Sequence, residues 1–320
     1  MKRFRSRFGH YMKRHLLLRR SLGYILRGAE YTLSDFDRYV CRAHPRARQV
    51  TRKIVAGYLE TTRSLASKTR CDRLTNVRQF CRFLFLFDPE TYIPEARLLP
   101  VGRVEVKAHL YTEAELGALM HEARQLYPRD PLVSHTYVTI LGLLWVTGLR
   151  ISEVRRLDLD DADLEAGVLT IRESKFKKSR LVPLHRSSCE ALRRYREHRL
   201  RVLGDTVGDR PFFVNRRRRR FTNRTLLGTI QVLARRAGVL TLDGRPPRVH
   251  DFRHAYATRM LAQLYRDGQD PLVRLPILAT FLGHANIANT QVYLHPPLDL
   301  LAKAGERFAA HVAIARRRTS

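Results

Sequence analysis

Apolar positions recur at three- and four-residue steps through most of the chain, and one stretch alternates instead. From about Leu33 to Asp88 the pattern is helical. In its last segment Leu74, Val77, Cys81, Leu84 and Phe85 paint one helix face apolar, while Arg70, Arg73, Arg78 and Arg82 point elsewhere. That predicts a small helical domain packing one side on itself and offering the other to phosphates. Residues 93–109 contain Pro94, Pro100 and Gly102 with little periodicity and read as a linker. A new helix starts at Thr112, where Glu115 three residues on forms a capping box. Val138 to Trp145 is an apolar run fit for a buried helix, and it leads directly into Thr147-Gly148-Leu149-Arg150. Residues 167–184 alternate as a hairpin does: Val168-Leu169-Thr170-Ile171, a basic turn, then Leu181-Val182-Pro183-Leu184. From Ser187 onward helices return. The expected fold class is mainly α with a small antiparallel β-sheet (α+β).

Charge changes this picture more than composition does. The 320 residues hold 60 Lys+Arg against 30 Asp+Glu, a formal net charge of +30, with an apolar content of 44% that suffices for real cores. A chain this basic points to nucleic acid, whose counterions are released when its phosphates are neutralised. Basic residues are spread through every segment rather than along one amphipathic helix, which argues against a membrane surface as partner. Residues 1–20, almost free of acid, read as a flexible arm or a frayed first helix lying on DNA. Arg216, Arg217, Arg218, Arg219 and Arg220 form an uninterrupted run between the apolar Pro211–Val214 and a helix starting near Asn223.

Other classes fall away. Cys41, Cys71, Cys81 and Cys189 form no CxxC pair and have no zinc-finger histidines, so they read as free thiols in a reducing compartment, with no metal and no cofactor expected. No segment approaches the roughly 18–20 apolar residues that span a bilayer, and Leu16-Leu17-Leu18 is too short for a signal-peptide core. A cytoplasmic protein is expected. No phosphate-binding loop of the Walker type and no internal repeat occur.

The candidate chemistry lies in five fragments: Thr147-Gly148-Leu149-Arg150-Ile151-Ser152-Glu153, Lys175, His250-Asp251-Phe252-Arg253-His254, Leu282-Gly283-His284 and Gln291-Val292-Tyr293-Leu294-His295. Together they offer two arginines, a lysine and two histidines to one phosphate, and a phenol to attack it. Cleaving a phosphodiester without a metal builds negative charge on the non-bridging oxygens, which preorganised guanidiniums meet best. A phenol with a pKa of about 10 needs such positive surroundings and a proton acceptor.

In these fragments and their order the chain resembles the tyrosine recombinase (phage integrase) family, from roughly residue 20 to the end. The resemblance implies a helical SAM-like core-binding domain followed by a catalytic domain. The expected division is a basic arm at 1–20, the DNA-clamping domain at 21–97, a linker at 98–109, the catalytic domain at 110–297, and a C-terminal helix and basic tail at 298–320. That tail is expected either to dock into a neighbouring protomer or to pack within its own chain. Implied roles are a phosphate clamp by Arg150 and Arg253, and attack by Tyr293. Lys175 in the hairpin turn is implied as general acid to the departing 5′ oxygen, with Lys177 close enough to contest the role. His250 accepts the phenolic proton or bonds the phosphate, His284 bonds a non-bridging oxygen, and Glu153 holds Arg150 or a nearby histidine. Asp251, His254, Tyr111 and Tyr195 read as structural. Phosphate contacts are expected from Arg70, Arg73, Arg78, Lys177, Lys178 and the five-arginine run. The long spacing between Arg253 and His284 resembles transposon- and plasmid-borne bacterial recombinases. The resemblance implies double-stranded DNA as partner. The implied activity is strand exchange by a DNA-bound tetramer, with or without a second recombinase, through 3′-phosphotyrosyl intermediates and a Holliday junction. Two alternatives stay open: a type IB topoisomerase-like enzyme, and a non-catalytic DNA-binding accessory protein.

Overall fold

The structure is a computed structural model that describes residues 3–24, 26–100, 108–172, 179–204 and 210–283. Lys175, Lys177, Lys178, His284, Tyr293 and the helix expected after Leu298 lie outside the described residues. The chain divides into two compact units, Met1–Val106 and Lys107–Ser320. No helix among the described residues is long and apolar enough to cross a membrane.

The first unit holds α1 (Gly9–Ser21), α2 (Arg27–Ala43), α3 (Arg52–Glu60) and α4 (Ser67–Phe85). Its start departs from expectation. Phe8, Met12 and Leu16 recur every four residues beneath the basic side chains, and all three are buried, so α1 belongs to the core rather than to a loose arm. Asp37 on α2 fastens the segment before it, accepting the Arg5 N–H at 2.7 Å, the Ser6 N–H at 3.0 Å and the Ser6 hydroxyl at 2.5 Å. On α4 the inward face is Leu74, Val77, Phe80, Cys81 and Leu84. Phe85, expected on that face, is 42% exposed, because Phe80 already fills the inward step after Val77.

The α4 arginines are also corrected. Arg73 donates to Asp35 at 2.5 Å and to the Tyr58 hydroxyl at 3.4 Å, and Arg78 Nε donates to the Pro94 carbonyl at 2.8 Å. Arg70 is half-buried with its Nε shut away from solvent. The heads of Arg73 and Arg78 thus meet nearby acceptors. Arg73 and Arg78 therefore tie the fold rather than present charge to DNA, whereas Arg82 is exposed.

The second unit begins with α5 (Glu113–Arg124), whose capping box is present as expected: the Thr112 N–H donates to Glu115 Oε2 at 2.8 Å, and the Glu115 N–H donates to Thr112 Oγ1 at 3.2 Å. Next come α6 (Pro131–Thr147) and α7 (Ile151–Arg156), and then a three-stranded antiparallel sheet. Its strands are β1 (Ala162–Asp163), β2 (Val168–Ile171) and β3 (Arg180–Pro183), with Ile171 opposite Arg180 and Val168 opposite Pro183. Helices α8 (Arg186–Leu203), α9 (Asn223–Arg236), α10 (Asp251–Arg266) and α11 (Pro271–Leu282) complete the described part. Apolar α6 lies at the centre, with Ile140, Leu141 and Leu144 fully or nearly fully buried, and it packs against α5, α8 and α10. The fold is mainly α with a small antiparallel sheet.

Candidate active site

Gly148 ends α6 in the left-handed conformation, with φ of 58°. A β-carbon there would lie 2.7 Å from the Tyr256 ring, so only glycine fits this turn. The turn delivers Arg150 to the start of α7, where its backbone N–H donates to Glu153 Oε2 at 2.9 Å and its Nη1 to Oε1 at 2.8 Å. Glu153 is thus both the cap of α7 and the anchor of the guanidinium. The expectation that it holds Arg150 or a histidine resolves to Arg150, with a second arginine added.

That second arginine is Arg180, the first residue of β3. Its Nη1 and Nη2 reach Glu153 Oε1 and Oε2 at 3.0 Å each, and its side chain is 9% exposed. Arg180 lies outside the five motif fragments. The available signal was parity: Arg180 and the buried Val182 are two apart on one strand and so share a face. Burial raises the Glu153 pKa, but the hydrogen bonds and charges of Arg180 and Arg150 outweigh it and hold the carboxyl below its ordinary value.

Arg253 comes from the first turn of α10 and is 1% exposed. Its Nη1 donates to the Gly148 carbonyl at 3.1 Å and its Nη2 to the Leu282 carbonyl at 2.5 Å. The three arginines converge on the end of α11, with Arg180 Nε on the Phe281 carbonyl at 2.8 Å, Arg253 on Leu282, and Arg150 Nη2 on the Gly283 carbonyl at 3.0 Å. The last carbonyls of a helix lack partners within it and carry its negative dipole end, so cations settle there. Arg150 and Arg180 share the single Glu153 carboxylate, and a positive excess of that kind suits an anion.

His250 precedes α10 with helical dihedrals, and its carbonyl accepts the Arg253 N–H at 3.1 Å. The residue keeps an exposed edge, yet burial of the remainder, with His254 and Arg253 beside it, brings its pKa down to about 4. At neutral pH it is therefore an uncharged ring able to accept a hydrogen bond. His254 stands edge-on to it at 5.1 Å. Asp251 is fully engaged by Arg248, with Nη2 at 2.7 Å from Oδ1, and Tyr111 stacks on Phe252 at 4.0 Å. Tyr195 is buried against Thr136, with the hydroxyls 3.0 Å apart. Asp251, Tyr111 and Tyr195 are thus held by neighbouring side chains. Among the described residues, no group of three or more His, Cys, Asp or Glu side chains is placed to hold a metal ion.

The structure thus brings together Arg150, Glu153, His250 and Arg253, and adds Arg180. The five-arginine run divides. It forms a tight turn in which Val214 bridges Arg220, and Asn215 Oδ1 accepts the Arg217 N–H at 2.8 Å and the Arg219 N–H at 3.2 Å. Arg218 pairs with Asp130 at 3.2 Å, and Arg220 holds the Arg155 carbonyl at 2.9 Å together with Asp158. Those two are half-buried and structural, contrary to expectation, because the turn folds their heads back onto acceptors beneath it. Arg216, Arg217 and Arg219 are exposed, with Arg216 lying 4.5 Å over the Tyr127 ring.

Residues 110–297 match the model of the phage integrase family. Over 306 residues the chain is 36% identical to "Putative integrase/recombinase y4rB" of Sinorhizobium fredii (strain NBRC 101917 / NGR234), covering 94% of this chain and 97% of the relative. In fold it is similar to the Tn1549 transposon integrase solved with transposon right end DNA (TM-score 0.63, 16% identity, 93% of this chain and 99% of that one). It is also similar to a lambda integrase tetramer bound to a Holliday junction (TM-score 0.61, 18% identity, 89% of this chain and 76% of that one). Matched over more than half its length by the family model and along nearly all of it by a relative, the chain belongs to the phage integrase family, the tyrosine-type site-specific recombinases.

Proposed function

We propose that the protein cleaves and rejoins specific duplex sites by metal-independent transesterification and exchanges strands through a Holliday junction. One observation carries the reading. Arg150 and Arg253, from opposite ends of the catalytic sequence, meet at the Leu282-Gly283 turn, and the chain runs from there into His284 and, nine residues later, Tyr293. The Tyr293 phenol attacks the scissile phosphorus, the 3′-phosphotyrosyl bond forms, and the bond to the 5′ oxygen breaks. Arg150 and Arg253 offset the charge on the non-bridging oxygens. Neutral His250 takes the phenolic proton, Lys175 gives a proton to the departing 5′ oxygen, and His284 bonds a non-bridging oxygen. The ester conserves the bond energy, so the 5′ hydroxyl of a second strand reverses the step without a nucleotide cofactor.

Strand exchange needs two cleaved duplexes and therefore four protomers on DNA, an assembly that the lambda integrase complex exhibits for its own chain. Service to a mobile element is supported by the likeness to a transposon integrase and by the long Arg253–His284 interval. The test is adduct trapping. Wild-type protein and Tyr293→Phe are mixed with nicked duplexes taken from DNA flanking the gene, then resolved on a denaturing gel. A denaturation-resistant adduct with wild type alone is expected, and it maps the site. An adduct that persists in Tyr293→Phe removes Tyr293 as nucleophile. Tight binding with no adduct on any fragment removes the catalytic reading of this chain acting alone.

A further inference from the structure

We propose that Arg180 is a positioning residue of the cleavage reaction, setting the Arg150 guanidinium and the end of α11 in register. The proposal rests on the reading of Arg150 as a phosphate clamp. Arg150 and Arg180 share one carboxylate: Glu153 Oε1 lies 2.8 Å from Arg150 Nη1 and 3.0 Å from Arg180 Nη1. Oε2 takes the Arg150 backbone N–H at 2.9 Å and Arg180 Nη2 at 3.0 Å. Glu153 therefore cannot rotate to suit Arg150 alone, because a planar fork grips it from the opposite side. The third nitrogen, Nε, donates to the Phe281 carbonyl at 2.8 Å. Two residues further on, the Gly283 carbonyl accepts from Arg150 itself at 3.0 Å.

The contacts close a ring running Arg180 to Glu153 to Arg150 to Gly283 to Phe281 and back to Arg180. Its members come from β3, the start of α7 and the end of α11, and Arg180 ties the last two through three nitrogens. Arg180 is 9% exposed and Glu153 5%. Arg150, at 20%, is the more open member. Arg180 acts through it. The charge of Arg180 alone does not account for the arrangement, since a lysine supplies the same charge without the fork.

The experiment uses full-length protein on the site mapped by adduct trapping, and compares Arg180→Met, Arg180→Lys, Arg150→Ala and wild type. Each is assayed on the natural linkage and on a neutral methylphosphonate at the scissile position. Replacing a non-bridging oxygen by methyl removes the charge that the clamp must meet, so a misplaced guanidinium is penalised less there, whereas a collapsed fold is penalised on both. Arg180→Met is expected to bind the site within about twofold of wild type and to form adduct about tenfold to a hundredfold more slowly on phosphate. The deficit should be smaller on methylphosphonate, and Arg180→Lys should fall between. An Arg180→Met adduct rate equal to wild type overturns the proposal, and so does an equal loss on both linkages. If Arg150→Ala shows relief on methylphosphonate and Arg180→Met does not, the clamp stands and the coupling fails. If Arg150→Ala itself shows no relief, the clamp reading falls and takes the coupling with it.

Discussion

Arg150 Nη2 donates to the Gly283 carbonyl at 3.0 Å, a contact made across 133 residues of chain. The candidate phosphate clamp is thereby registered against the turn that leads to the candidate nucleophile. Gly283 sits at φ of 68°, where side chains are rare, and a β-carbon added there would lie 2.7 Å from Arg180 Nη1 and 2.9 Å from its Cζ. Arg180 cannot step aside freely, because Glu153 grips it. Gly283→Ala is therefore expected to cost about 1–2 kcal/mol in backbone strain alone. It should slow adduct formation about tenfold or more while leaving site binding nearly unchanged. Urea unfolding and adduct kinetics on the same preparation check this, and a wild-type rate would show that the turn tolerates displacement.

Glu153 is the buried acid on which two half-buried guanidiniums depend. Removing it leaves two like charges without their counterion, so Glu153→Ala should lose about 3–5 kcal/mol of stability. The pH dependence follows from the lowered pKa. The unfolded carboxyl protonates near 4.3 and the folded one only below its own, lower value. The contribution is thus complete at pH 7 and disappears as pH falls through the folded pKa. Urea unfolding of wild type and Glu153→Ala at pH 7 and at successively lower pH should converge. A constant gap would place the stabilisation elsewhere.

The candidate site was legible where residue type and local spacing decide, and opaque where distant partners decide. Thr112 with Glu115, Gly148 closing α6, and Arg150 with Glu153 are separated by a few residues, and each was readable from the chain alone. Arg180 was not, because its partners Glu153 and Phe281 are 27 and 101 residues away, and a basic turn hides one inward-facing arginine among its neighbours. The same holds for Arg73, whose Asp35 is 38 residues distant. The α1 positions Phe8, Met12 and Leu16 are opaque for a different reason, since the charge of the segment masks a four-residue apolar step. Lys175, His284 and Tyr293 rest on the motif and not on described geometry.

The five-arginine turn allows a prediction that separates charge from structure. Arg216, Arg217 and Arg219 are exposed, while Arg218 and Arg220 are paired beneath them. Each exposed arginine that contacts a phosphate should lower the slope of log K against log salt by about one when replaced by glutamine, with little change in stability. Arg220→Gln should instead lower the unfolding midpoint, because Asp158 and the Arg155 carbonyl lose their donor. Salt titrations of binding alongside thermal unfolding decide the matter. Equal salt slopes for Arg217→Gln, Arg219→Gln and wild type would mean that this turn does not touch DNA.

His15 gives the first unit an acid sensitivity of its own. The side chain lies on α1 at 5% exposure, between the Phe80 and Phe83 rings at 6.2 and 5.2 Å. Burial first, and Arg19 second, bring its pKa down to about 4. The unfolded chain takes up this proton near 6.5 and the folded chain only near 4, so between those values the unfolded state binds more protons. Stability of this unit should fall as pH is lowered from 6.5 to 4, by on the order of 1–3 kcal/mol from this group. His15→Leu should flatten that slope. The readout must be local, because His250 and His254 are also shifted down and give the second unit a slope of the same sign. The single tryptophan, Trp145, lies in α6 of that second unit and reports on it. Hydrogen exchange followed on peptides from α1 to α4 isolates the first unit. If His15→Leu leaves the pH dependence of those peptides unchanged, the charge uptake that destabilises the unit occurs at another group.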